Sequence, residues 1–229
     1  MNNQETSCSD CLVKSKVAEK LTPEELNVLN NNCARISFKK GENILKQGAF
    51  TTNIVYIKSG LVKEHMIGPN GNDEILKITK APEYVGIPSA MGGRIHNYSC
   101  TALVDTSACF IDLNVFNEFL LDNKYFSKEI IIGLSRDLLD HFYRCVNKTQ
   151  KQLHGSLAEA ILYLADNIYE SDTFQLSLTR EELGAYIGTT RETVTRILHE
   201  YIENDLISIQ DKQMNILNKK MLQRISDAG

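Results

Sequence analysis

No apolar run in the chain approaches the ~20 residues that a membrane-spanning helix needs; the longest suggestive stretch is Ile130-Ile131-Ile132. The first ten residues, Met1 to Asp10, are polar and acidic. They lack the pattern of a secretory or transit leader, so a cytoplasmic protein without membrane association is expected. A cationic excess is missing too. The formal net charge is -4, which argues against indiscriminate nucleic-acid binding but leaves local placement of charge open. There is no Gly-rich phosphate loop, no His-Glu-x-x-His and no Cys-x-x-Cys pair repeated at zinc spacing. Scattered Ser, His and Asp residues do not amount to a triad, so an enzyme is not expected. Six cysteines in a chain of this kind point to free thiols or ligands rather than to a disulfide framework. No internal repeat or low-complexity tract is present.

What remains is a soluble globular composition, with 42% hydrophobic and 24% charged residues over 229 positions. That length suits one large domain or two modest ones. Residues 1–20 form a polar tail containing Cys8-Ser9-Asp10-Cys11. Thr22-Pro23-Glu24-Glu25 reads as a helix start, with Thr22 capping and Glu25 completing a capping box. From Arg35 to Leu113, short β-branched or alternating runs recur: Ile36–Phe38, Ile54–Ile57, Leu61–Met66, Glu74–Ile78, Cys100–Val104 and Cys109–Leu113. Turn residues separate them, and this spacing predicts a jelly-roll over 21–123. Helical periodicity then takes over in a long stretch from Lys124 to Gln152. Its stripe of Ile131, Leu134, Leu138, His141 or Phe142, Cys145 and Thr149 is flanked by Ile130, Leu139 and Val146. That width serves two partners, so a dimer seam over 124–153 is expected, with a hinge at His154-Gly155.

The segment from Leu178 to Tyr201 has the grammar of a helix-turn-helix. Thr179 caps a first helix and pairs with Glu182; Leu183, Ala185 or Tyr186, and Ile187 supply its buried face. Gly188 provides the positive φ of a sharp turn. Thr190 caps a second helix with Val194, Ile197, Leu198 and Tyr201 inward and Arg191, Glu192, Thr195 and Arg196 outward. Arg forks to guanine O6 and N7, and Glu accepts from the cytosine amine. Thr190 and Thr193 stand where a helix N-terminus holds phosphate. Two short strands, Asp205–Ile209 and Met214–Leu217, then form a wing. A plain helical hairpin needs none of this ordered sequence of cap, Gly turn, cap, Arg-Glu, Arg and hairpin. From Gly155 onward seven Lys and Arg stand against twelve Asp and Glu. Modest non-specific affinity with a steep salt dependence is therefore expected.

Over nearly the whole chain the sequence resembles the Crp/Fnr family of transcription regulators, most specifically at Gly188-Thr-Thr-Arg-Glu-Thr-Val-Thr-Arg-Ile-Leu198 and Asp205-Leu-Ile207. The resemblance implies an α+β architecture: an N-terminal β jelly-roll of the cyclic-nucleotide-binding type, a long dimerisation helix, and a C-terminal winged helix-turn-helix over 154–229. It implies a homodimer on double-stranded DNA with RNA polymerase as a partner. Arg191, Glu192 and Arg196 would read bases, while Arg180, Thr190 and Thr193 would contact phosphate. The Arg-Glu-x-x-x-Arg combination resembles the catabolite-activator branch and its TGTGA-type half-sites. Thr195, however, stands where the Fnr branch carries Ser, so the match is mixed. A ligand-binding regulatory module without DNA binding is the competing class, and the intact Arg191, Glu192 and Arg196 argue against it.

The input side departs from the family pattern. Cyclic-nucleotide binders carry a Gly-Glu-Leu segment, whose Glu holds the ribose, and an Arg-Ser pair on the phosphate. The matching stretches here are Gly86-Ile87-Pro88-Ser89 and Tyr98-Ser99, without either charged ligand. His141-Phe142 falls where cAMP receptors place Thr-Ser against adenine. The resemblance places an effector pocket around Gly86, Ser89, Arg94, Ser99 and His141. It argues against cAMP, because a phosphate without Arg loses its hydration uncompensated. Arg94 is either a displaced anion ligand or a solvated loop residue. Fnr-type oxygen sensors hold an iron–sulfur cluster with three N-terminal cysteines and one in the barrel. Cys8 and Cys11 resemble the first two and Cys109 the last. Val17 stands at the third position, Ser15 is a poor substitute, and Cys33 lies too far along for that spacing. Exposed thiols or a redox pair are the alternative for Cys8 and Cys11. Haem through His65, His96 or His141 is a further alternative to an unidentified small-molecule, metal or redox effector. Cys100 and Cys145 read as small buried residues.

Overall fold

The computed structural model describes residues 15–229; Cys8 and Cys11 lie outside them. The chain divides into two compact units, one of residues 15–66 with Ile78–Leu139 and one of Ile67–Lys77 with Asp140–Gly229.

In the first unit, Ala18–Lys20 forms a short 3-10 turn and α1 spans Pro23–Asn31. The Thr22 hydroxyl accepts from the Glu25 amide while the Glu25 carboxylate accepts from the Thr22 amide, as the capping-box spacing predicts. Eight strands follow, of which β5 begins in the 67–77 segment counted with the second unit: β1 Cys33–Phe38, β2 Asn43–Leu45, β3 Asn53–Ser59, β4 Leu61–Ile67, β5 Asp73–Lys80, β6 Glu83–Val85, β7 Ser99–Ala102 and β8 Thr106–Asp112. They make two four-stranded sheets in the orders β1-β8-β3-β6 and β2-β7-β4-β5. β1, β3, β4, β5, β7 and β8 answer to the expected runs. β2 and β6, at three residues each, are too short to show a period.

Alternation along β3 sends Val55 and Ile57 to one core with Ile44 and Leu45 of β2 and with Val62, Val85, Cys100, Ala102 and Ala108. The opposite face, with Ile54, Tyr56 and Ile111, is covered by Leu29 of α1, by α3 (Leu113–Asp122) and by the start of α4 (Lys124–Gln150). An aromatic chain runs through this second core. Phe116 and Phe126 meet edge-on at 5.3 Å, and Phe119 meets Phe126 at 5.7 Å. The Asn123 side chain caps α4 by accepting from the Tyr125 and Phe126 amides. Beyond Ile130, which is buried, α4 exposes Ile131, Leu138, Leu139, Phe142, Tyr143 and Val146. Cys100 is buried as expected, but Cys145 is exposed. It sits on the α4 surface with its Sγ 3.4 Å from His141 Nε2. Its place in the apolar stripe marks a helix face, yet the described residues leave that face uncovered at the thiol.

In the second unit α5 is Leu153–Tyr163, continued by a π-helical stretch, Leu164–Tyr169. The helix break after α4 falls at Lys151-Gln152, and His154-Gly155, the expected hinge, lies inside α5. α6 (Arg180–Ile187) and α7 (Arg191–Glu203) follow. β9 (Thr173–Gln175), β10 (Ile207–Gln210) and β11 (Gln213–Ile216) form a sheet in the order β10-β11-β9, and α8 (Lys219–Ala228) ends the chain. Asp211 and Lys212, both at positive φ (48° and 69°), make the two-residue hairpin turn of the wing. Buried Leu157, Ile161, Leu183, Val194, Ile197, Leu198, Met214 and Leu222 fill the unit's centre.

Candidate nucleic-acid interface

Two caps set the geometry of the helix pair. The Thr179 hydroxyl accepts from the Glu182 amide and the Glu182 carboxylate from the Thr179 amide. Gly188 ends α6 at φ 80°, the left-handed conformation that favours glycine. A second glycine matters as much. A Cβ on Gly184 would stand 2.6 Å from the Thr189 carbonyl oxygen, so only glycine lets the turn fold back over α6. Thr190 then caps α7, its hydroxyl accepting from the Thr193 amide at 3.3 Å.

Along α7, Val194, Ile197, Leu198 and Tyr201 are buried, and Arg191, Glu192 and Arg196 are exposed. Glu192 is held ionised, below the usual carboxylate range, by its own backbone N–H and then by the Thr190 hydroxyl. The Thr195 hydroxyl donates to the Arg191 carbonyl at 2.8 Å. Thr190 and Thr193, the expected phosphate contacts, lie 3.2 Å apart through their hydroxyls within the cap. Arg180 opens α6 half-buried, and its Nη1 is buried without a hydrogen-bond partner. Burial pulls its guanidinium below the ordinary value, though an arginine remains charged.

Several contacts were not read from sequence. Arg196 Nη1 donates to Glu200 Oε1 at 2.5 Å, and Glu200 Oε2 lies 2.8 Å from His154 Nε2. The i,i+4 spacing of Arg196 and Glu200 was the available signal; nothing local points to His154. The buried Tyr201 donates its hydroxyl to the His154 carbonyl at 2.6 Å. Beneath α6, the Arg144 guanidinium lies 4.3 Å from the centre of the Tyr186 ring. Its Nη1 donates to the Leu76 carbonyl and its Nη2 to the Ile75 carbonyl.

The expected effector residues divide. Gly86 is the N-cap of α2 (Ile87–Gly92), and its amide donates to the Tyr98 hydroxyl at 3.2 Å. Ser89 is buried and accepts from the Asn97 amide; Ser99 is buried and accepts from the Gln47 amide. Arg94 is exposed at φ 60°. His141 is exposed on α4. Glu64 carries no local signal in the sequence, and His96 is one of the three expected haem alternatives. Buried Glu64 accepts from the Thr79 hydroxyl at 2.7 Å; burial first, and Glu64 after it, push the Tyr98 phenol and Cys100 thiol upward. His96 is 5% exposed with an unpartnered Nδ1, and burial pushes its imidazole down. Cys109 and Cys33 both border the core beneath α1 and α3. Among the described residues no three His, Cys, Asp or Glu side chains gather as a metal site, so the described part of the chain does not by itself make a cluster site.

The model of the cyclic nucleotide-binding domain matches residues 35–123, and that of the Crp-like helix-turn-helix domain matches 155–225. The transcriptional activator Anr of Pseudomonas protegens is 26% identical over 94% of this chain and 91% of its own length. The fumarate and nitrate reduction regulatory protein of Escherichia coli is 24% identical over 96% and 90%. FixK2 from Bradyrhizobium japonicum shares the fold, with a TM-score of 0.77, 17% identity, and 84% and 96% of the two chains covered. These relatives are transcription regulators, and neither matched model describes a catalytic domain. Among the described residues no helix is long and apolar enough to cross a membrane. A β-roll that matches the cyclic nucleotide-binding domain, a long helix and a doubly capped helix pair with its wing together place this chain in the Crp/Fnr family of transcription regulators, with a helix-turn-helix DNA-binding domain.

Proposed function

We propose that the protein acts as a homodimer that reads an inverted repeat with TGTGA-like half-sites. The observation that carries this reading is the exposed set Arg191, Glu192 and Arg196 on the capped helix α7. Arg and Glu side chains at the N-terminal end of a helix match the donor and acceptor pattern of G·C pairs in the major groove. Arg180 serves phosphate: a half-buried guanidinium with an unpartnered Nη1 gains most from an anion. Thr190 and Thr193 set register at the N-terminus of α7. Dimerisation runs through the apolar stripe of α4, where Ile131, Leu138, Leu139, Phe142 and Val146 fall on one face at helical spacing and are all exposed,. RNA polymerase is the further partner. Binding-site selection from random duplexes tests the DNA reading. Recovery of an inverted repeat with TGTGA-like arms is expected, and recovery of no palindrome defeats it.

The effector is not cAMP in this reading. Arg94 is exposed, and neither Gly86-Ile87-Pro88-Ser89 nor Tyr98-Ser99 carries an Arg, so the cyclic phosphate finds no cation in those stretches to replace its hydration. Calorimetric titration with cAMP is expected to give no heat; micromolar binding overturns this. A redox input through an iron–sulfur cluster is the second reading. It is favoured by the likeness to Anr and to the fumarate and nitrate reduction regulatory protein, and by Cys8, Cys11 and the half-buried Cys109. Anaerobic purification followed by a visible absorption spectrum and iron analysis tests it, and a colourless, iron-free protein that still binds its site overturns it.

A further inference from the structure

Arg196 is not a freely swinging side chain. Its Nη1 is bound to Glu200 Oε1 one turn further along α7, and the second carboxylate oxygen of Glu200 is held by His154 of α5. Each oxygen therefore has its own partner. His154 is anchored in turn, because its carbonyl receives the hydroxyl of Tyr201, the residue next to Glu200. The Glu200 side chain is only 39% exposed, against 58% for Arg196. Its carboxyl is held below the usual range by the hydrogen bond to His154 first and by Arg196 after it.

An isolated exposed ion pair contributes little to stability, and a carboxylate on a DNA-facing helix repels phosphate. The contact with His154 ties α7 to α5, but the pairing of Glu200 with the exposed Arg196 adds little to folding. What the arrangement does is orient a fork. A guanidinium carries five N–H groups in one plane. With Nη1 drawn toward Glu200, the Nε–Nη2 edge stays open for the paired acceptors O6 and N7 of guanine. A planar fork set before contact loses less freedom on binding than a free one.

We propose that Glu200, braced by His154, is a positioning residue that pre-orients Arg196 for base reading, raising discrimination at the cost of non-specific affinity. This rests on the reading that Arg196 contacts a base. The test uses full-length protein and equilibrium binding at fixed salt. The duplexes are the selected palindrome, single-base-pair variants of its half-site, and a random duplex. Arg196→Ala first defines the base pair that Arg196 reads. Glu200→Ala is expected to tighten binding to the random duplex several-fold and to lower discrimination at that base pair about tenfold. Glu200→Gln, which keeps an acceptor for Arg196, should keep most of the discrimination while gaining the same non-specific affinity. His154→Ala should lower discrimination at that same base pair with the charge of Glu200 in place. Unchanged discrimination in both Glu200→Ala and His154→Ala, with melting temperatures like the parent, overturns the positioning role and leaves the base-reading role intact. If Glu200→Ala does not fold, Glu200→Gln and His154→Ala decide the matter. If Arg196→Ala changes discrimination at no base pair, the base-reading role itself fails and the positioning role falls with it.

Discussion

Replacing Phe142 by Ala should loosen the proposed dimer without harming the fold of a protomer. Phe142 is 54% exposed on α4, so about half of its apolar surface remains to be covered by a partner. Complete burial of such a side chain stabilises by about 1.5–3 kcal/mol, which leaves roughly 0.8–1.5 kcal/mol for the unburied half. In a two-fold dimer the same residue contributes from both chains, giving about 1.5–3 kcal/mol per dimer. That corresponds to a rise of roughly 10–150-fold in the dissociation constant. Alanine is the best helix former, so α4 keeps its local stability. Sedimentation over a dilution series measures the effect directly. Leu121→Ala is the control, because Leu121 is 84% exposed on α3 and lies off the α4 stripe. A Phe142→Ala dissociation constant within a few-fold of the parent would refute the reasoning. So would an equal shift in Leu121→Ala, which would mean that any lost apolar surface acts alike.

Three further outcomes follow from particular contacts. Arg180→Ala, which removes a cation with an unpartnered Nη1, should weaken binding to all duplexes alike and reduce the salt slope by about one per protomer; a change confined to one base pair would show that Arg180 reads sequence. Gly184→Ala forces a Cβ to 2.6 Å from the Thr189 carbonyl oxygen and should destabilise the helix-turn-helix by about 1–3 kcal/mol, read by urea denaturation, whereas an unchanged midpoint would mean the turn yields freely. His96 is held neutral by burial, its imidazole lowered from 6.5. The stability this contributes is complete above that value and is lost as pH falls toward the lower folded value. The parent should therefore lose more melting temperature between about pH 7.5 and pH 5.5 than His96→Phe does; parallel pH profiles would exclude His96 as the titrating group.

Capping and turn chemistry were legible because they act over three or four residues. Thr22 with Glu25, Thr179 with Glu182, and the left-handed Gly188 stand in the structure as their spacing predicts. The buried face of α7 was legible for the same reason, since its period of 3.6 needs no distant partner. Short β2, β6 and β9 lacked enough residues to show a period, and their existence depends on β7, β3 and β11 being present to pair with them. Cys145 is exposed rather than buried because an apolar stripe records only a helix face, and nothing in the stripe says how much of that face the rest of the chain covers. The helix break moved from His154-Gly155 to Lys151-Gln152 because Gly155, though a poor helix former, is buried inside α5 where Gly229 backbone atoms approach to 2.6 Å of its would-be Cβ.

The sequence by itself determined the order of parts, the capped helix pair and the identity of Arg191, Glu192 and Arg196, because each follows from residues that are neighbours along the chain. The tertiary structure alone decided how those side chains are held. Glu64 meets Thr79 across 15 positions, Arg144 reaches Leu76 across 68, and His154 meets Glu200 across 46. No local pattern carries such pairs, since their energies arise only when separate elements are folded side by side.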